Sequence, residues 1–249
     1  MNQPRGFAAM PQPSLVLVLV ATLLLAACNE PAPPTLSLYR AVGIGDLDQV
    51  KRHLYWGADV NQPDINGDFP LHVAARQGSV NISRALIEHG AAPLALDAAG
   101  ATPMEVALAT GKTQVAQMLV VRGVPLDPWE ALLDLARAGV SDRDTFEFLT
   151  RRGADLNRAD THGDTPLRLA IAGGHLETVR RLILMGTDVN QTDAAGRRPL
   201  DLALEWSEGR RDARPRIVDL LKRHGAKGGR ADETPGHSGP MTPQQRTEE

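Results

Sequence analysis

The sequence predicts an all-α repeat solenoid of about six helix pairs, joined by turns or hairpins and preceded by a signal peptide. Three observations carry the prediction. Glycines recur at Gly57, Gly90, Gly123, Gly153, Gly186 and Gly225, at intervals of 33, 33, 30, 33 and 39 residues. A proline series stands ahead of the helix pairs: Phe69-Pro70-Leu71-His72, Thr102-Pro103-Met104-Glu105, Thr165-Pro166-Leu167-Arg168 and Arg198-Pro199-Leu200-Asp201, with proline intervals of 33, 63 and 33. The composition agrees: only 4% of 249 residues are aromatic, so Leu, Ala, Val and Ile do the packing. Thin layers of small helices need no large aromatic core.

The first 27 residues read as a signal peptide. Leu15 to Ala27 is uncharged and almost wholly apolar, and its 13 residues fall short of the roughly 20 that a membrane-spanning helix needs. The run ends Leu25-Ala26-Ala27-Cys28, which resembles the bacterial lipobox, Leu followed by two small residues and Cys. The resemblance implies cleavage before Cys28 and a lipidated Cys28 as the new N-terminus. Asn29, where Asp would favour inner-membrane retention in that family, points to the outer membrane. Residues 28–35 read as anchor and tether: Glu30 to Thr35 holds three prolines in six residues and is extended at about 3.1 Å per residue, roughly 20 Å in all.

Residues 36–227 read as the array. The first pair, Leu36 to Asn61, lacks an initial turn motif and reads as an N-terminal cap. In the second and third pairs Pro70 and Pro103 stand ahead of the helices, and in the fifth Pro166 follows Thr165 at the first helical position, where a missing N–H costs nothing. Thr102 and Glu105 have capping-box spacing. The fourth pair, Pro128 to Asp160, begins Pro128-Trp129-Glu130-Ala131 and has a longer loop near Gly139 to Asp142. In the fifth, Thr165 is an N-cap. Leu167, Ala170 and Ile171 line one face, and Leu176, Val179, Leu182 and Ile183 line the next helix after the Gly173-Gly174 turn. Gly186 fits a left-handed helix end. The sixth pair carries Glu208 to Pro215 as an insertion, and its second helix, Arg216 to His224, places Asp219, Lys222 and Arg223 outward as a C-terminal cap. Residues 228–249 are rich in Gly, Pro, Thr, Gln and Glu and read as a disordered tail.

The turn glycines Gly67, Gly100, Gly163 and Gly196 share the register of the other two series. So do the runs Gly-Ala-Asp-Val-Asn, Gly-Ala-Asp-Leu-Asn and Gly-Thr-Asp-Val-Asn at Gly57, Gly153 and Gly186. This register resembles the ankyrin repeat family, with its 33-residue unit and Thr-Pro-Leu-His-x-Ala signature.

Little points to chemistry. One Cys permits no intramolecular disulfide and no Cys-based zinc site. A net charge of −3 argues against a general nucleic-acid binder. The seven His show no His-x-x-x-His or zincin spacing, and no nucleophile elbow or phosphate-binding glycine loop is present. His72 and His175 read as structural. The sequence therefore predicts a non-enzymatic chain with no cofactor and no metal. A hydrolase in the atypical fourth pair is the weakest of the readings.

What remains is a surface. The family resemblance places partner contacts on the turn tips and first-helix faces: Asn66, Asp68, Arg76 and Gln77; the small row Ala99, Ala101, Ala109 and Thr110; His162, Asp164, Ala172 and Gly173; and Arg197, Glu205 and Trp206. The small rows predict a shallow groove flanked by polar residues. Trp206 reads either as an interface hot spot or as packing beneath its own insertion. Residues 194–230 hold ten Arg or Lys against five Asp or Glu, and Arg210, Arg211, Arg214 and Arg216 offer a contact for anionic lipid or an acidic partner, or else a solvated loop. The expectation is a membrane-anchored, periplasm-facing module or scaffold that binds another protein. The alternative is an inhibitor or immunity-type protein that blocks an envelope-acting enzyme.

Overall fold

The computed structural model describes residues 30–205 and 213–228. The signal peptide, Cys28, Asn29, Trp206, Arg210, Arg211 and residues 229–249 lie outside the described residues. The described chain forms twelve helices in six pairs: α1 (Leu38–Ile44) and α2 (Leu47–Tyr55); α3 (Pro70–Gln77) and α4 (Val80–Glu88); α5 (Pro103–Ala109) and α6 (Thr113–Val121); α7 (Pro128–Ala138) and α8 (Arg143–Thr150); α9 (Pro166–Gly173) and α10 (Leu176–Leu184); α11 (Pro199–Glu205) and α12 (Arg214–Arg223). The predicted all-α repeat solenoid is the observed architecture.

Local chemistry sets the helix starts. Thr165 accepts the Arg168 N–H ahead of Pro166, and Thr102 with Glu105 closes the predicted capping box. Asp127 does the same work for the fourth pair, accepting from the N–H groups of Trp129 and Glu130, with Pro128 in the first turn. Left-handed glycines end the helices; Gly186 has φ 90° just past α10, as predicted. Gly173 closes α9, and the turn itself falls on Gly174 at φ 74°. The fourth pair's inter-helix loop, residues 139–142, is longer than the two-residue turns of pairs one, two and five.

Stacking supplies the burial that no pair achieves alone. The first helices of the pairs pack side by side in one row, and the second helices form an outer row behind them. Leu167, Ala170, Ile171, Val179 and Leu182 are fully buried, on the faces the periodicity assigns to them. Asparagines of the Gly-x-Asp-x-Asn runs tie neighbours together. The Asn61 amide donates to the Gly90 carbonyl at 2.8 Å and accepts the Ala92 N–H at 2.8 Å; Asn190 repeats this on Gly225 and Lys227. Across the rows, Thr145 and Thr178 each donate to a carbonyl of the preceding repeat, Leu108 and Val140.

Two sequence expectations change. The last helix starts at Arg214, not Arg216, because Pro215 is accommodated in its first turn. Arg214 therefore leaves the proposed basic loop: its Nε donates to the Ala203 carbonyl at 3.1 Å and pins α12 to α11. The tether is also less free than its composition suggests. Gln49 and Thr35 exchange two hydrogen bonds of 2.9 and 3.0 Å, and the Trp56 indole donates to the Pro31 carbonyl at 3.3 Å. Residues 31–35 thus run along α2.

Candidate functional site

Four of the five connections between pairs are fingers of one design. Asp64, Asp97, Asp160 and Asp193 each open a turn and accept, through one carboxylate oxygen, the N–H groups two and four residues onward. This double acceptance makes a rigid loop from a short sequence. Gly67 shows how closely the fingers stack: its φ is 81°, and a Cβ there would come within 2.7 Å of the Ala98 Cβ on the next finger.

First helices hold the fingers by a side chain at a fixed register. His72 Nε2 lies 2.9 Å from the Ala101 carbonyl of the following finger, so that nitrogen carries the ring proton. Tyr39, one repeat earlier, places its hydroxyl 3.0 Å from the Asp68 carbonyl and beside that of Gln62. Arg168 takes the histidine position in the fifth pair and reaches the Arg197 carbonyl at 3.1 Å. The same guanidinium donates to Asp193 at 2.6 Å and Asp164 at 3.3 Å. Burial pushes the Asp193 carboxyl up, but the Arg197 backbone N–H and the Arg168 charge outweigh it and hold the group below the usual carboxylate range. His175 is structural in the same way, with Nε2 3.1 Å from the Arg137 carbonyl.

The predicted contact residues fall on this finger-and-first-helix side. Asn66 and His162 are exposed at finger tips, and Gln77 is exposed at the end of α3. Arg76 and Asp68 form a two-pronged pair at 2.7 and 3.1 Å; the Arg76 hydrogen bond draws the Asp68 carboxyl below its ordinary range. Asp164 and Arg197 flank Arg168, and Arg197 continues to Glu205 at 3.4 Å. These residues form a row of pre-paired charges. Arg216 is exposed on α12.

The groove predicted from the small residues exists at the third row. A cleft of about 530 Å³ lies between the third and fourth pairs, with Ala99, Ala101 and Ala109 among its lining. Its acidic members Glu130 and Asp134, on α7, escaped the sequence reading, as did Ile65, fully exposed at the first finger tip. The available signal was the doubled proline interval between Pro103 and Pro166. Among the described residues no His, Cys, Asp and Glu group has metal-holding geometry, and no helix is long and apolar enough to cross a membrane.

The family model described as "Ankyrin repeats (3 copies)" matches residues 38–127 and 132–232. Cyclin-dependent kinase 4 inhibitor B of Mus musculus is 36% identical over 123 residues, covering 47% of this chain and 92% of that protein. Potassium channel KOR1 of Oryza sativa subsp. japonica is 37% identical over 82 residues, which are 33% of this chain and 10% of the channel. Two solved structures are similar over most of their length. The human ASB11 ankyrin repeat domain matches with a TM-score of 0.54 and 25% identity, over 77% of this chain and 85% of that one. The ankyrin repeat domain of Bcl-3 matches with a TM-score of 0.54 and 26% identity, over 78% and 88%.

Proposed function

Because the chain belongs to the ankyrin repeat family, we propose that it is a protein-binding module anchored to a bacterial envelope membrane through Cys28, facing the periplasm and performing no chemistry of its own. The observation that carries the binding role is the run of four rigid fingers beside one row of helices. They present Asn66, Asp68, Arg76, Gln77, His162, Asp164, Arg197 and Glu205 together. Side chains already paired within the array lose little rotamer freedom on docking, which lowers the entropic cost of association. The anchor rests on Leu25-Ala26-Ala27-Cys28, and Asn29 favours the outer membrane. Arg216, with Arg210 and Arg211, adds a contact for anionic lipid or an acidic partner.

Cell fractionation tests the anchor. Cys28→Ser should move the protein from the membrane to the soluble fraction, with the helical circular dichroism of the array unchanged. Membrane association that survives the substitution would contradict it.

A second reading is an inhibitor or immunity-type protein that blocks an envelope-acting enzyme. It is favoured by one observation: a relative that this chain matches over 92% of its length is named as a kinase inhibitor. A pull-down that returns an enzyme, with its activity lost in the complex, would select this reading over a scaffold.

A further inference from the structure

The connection from the third to the fourth pair is residues 122–127, less than half the length of the connections 56–69, 89–102, 151–165 and 185–198. No finger is built there. The first helices α5 and α7 also make the thinnest contact in their row. The cleft of about 530 Å³ occupies this junction, beside the finger that carries Ala99 and Ala101. It is a slot of the kind that a finger fills at the other junctions. Met104, Ala109, Ala131 and Leu135 give it an apolar floor.

Charge states what the slot accepts. Glu105 occupies the register of Tyr39, His72 and Arg168, whose donors meet the next finger's carbonyl. A carboxylate cannot donate to a carbonyl, and here no finger carbonyl exists to meet it. Asp127, Glu130 and Asp134 join Glu105 around the cleft, and no Lys or Arg lines it. Asp134 is paired with Arg137 at 2.7 Å, Asp127 is engaged as a helix cap, and one Glu105 oxygen accepts the Thr102 N–H in the capping box. Glu130 is exposed and has no cation within ion-pair distance among the described residues. The complement is a donor-rich, cationic segment with an aliphatic side chain for the floor. Residues 229–249, with two Arg against four Asp or Glu, have the wrong charge to be that segment.

We infer that the slot between α5 and α7 receives a segment of a partner protein carrying Lys or Arg beside an aliphatic residue, inserted where the array lacks a finger of its own. The inference rests on the binding-module reading and specifies where and what it binds. The test is selection of a displayed library of random 12-residue peptides on the full chain in detergent, followed by titration of the enriched peptides. Enriched peptides should pair Lys or Arg with Leu, Ile or Val and should weaken as salt rises. Ala109→Trp, which fills the cleft from an exposed position, and Glu130→Arg, which reverses its charge, should each weaken binding at least tenfold. Both sites are exposed, and circular dichroism checks that the variants fold. Acidic or neutral peptides, or binding indifferent to both variants, would overturn the slot. Binding lost instead with Arg76→Ala and His162→Ala would keep the module and remove the slot. No enrichment above background would overturn the slot alone, since the folded partner of the binding-module reading is tested separately by crosslinking.

Discussion

Arg168 and Asp193 stand 2.6 Å apart across the seam between the fifth and sixth repeats, with side chains 2% and 5% exposed. Arg168 does there what His72 does three repeats earlier, and adds a charge. Stranding a buried charge costs about 3–5 kcal/mol, but Asp193 without Arg168 keeps the Arg197 guanidinium at 3.0 Å and two backbone N–H groups. Arg168→Ala should therefore lower the urea-unfolding free energy by about 2 kcal/mol, whereas Arg168→His should recover part of it through the Arg197 carbonyl. An alanine variant within about 0.5 kcal/mol of wild type would refute the seam's importance.

Asp193 gives that seam a pH dependence. Its folded carboxyl titrates below the ordinary value, so the stabilisation is present above about pH 4 and is lost as pH falls through the folded value. Asp193→Asn should be less stable at neutral pH and show a flatter loss of stability on acidification. Equal acid slopes in the two proteins would contradict this.

Tyr39 predicts the opposite edge. Burial, then the charges of Asp64, Asp68 and Asp59, push its hydroxyl up to about 12. A raised value means that the contribution is intact below the unfolded value near 10 and fades as pH rises toward 12. Absorbance of tyrosinate should show a late-titrating tyrosine that disappears in Tyr39→Phe. That variant should cost about 1 kcal/mol, for the lost hydrogen bond to Asp68.

Gly139 and Gly57 separate backbone strain from collision. Both have positive φ, 78° and 72°, but a Cβ at Gly139 would meet the His175 ring at 2.4 Å, while nothing lies within 4 Å at Gly57. Gly57→Ala should cost about 1 kcal/mol, the left-handed penalty alone. Gly139→Ala should cost clearly more, because His175 must leave the Arg137 carbonyl. Equal thermal shifts would show that the ring moves freely.

The repeat register was legible because glycine, proline and capping residues act locally: Thr102 with Glu105, and Thr165 with Pro166, form the contacts their spacing implies. The cleft was half legible. Its small row, Ala99, Ala101 and Ala109, lies within one repeat, but Glu105 and Glu130 meet across a junction whose shortened connection shows only once helix ends are known. Arg214 was misplaced because a proline-adjacent arginine cluster has loop composition, and Ala213, unlike Thr102 or Thr165, offers no capping side chain ahead of Pro215 to mark the helix start.

Photocrosslinking in cells tests whether the protein binds its partner through the finger side of the array. A photoreactive residue would replace Asn66, Ala99 or His162 on the fingers, and Arg84, Gln117 or Arg180, exposed on the outer helices α4, α6 and α10. Binding through the fingers should give one discrete crosslinked protein from the finger positions and none from the outer helices. Crosslinks confined to the outer helices, or spread evenly over both sides, would contradict it.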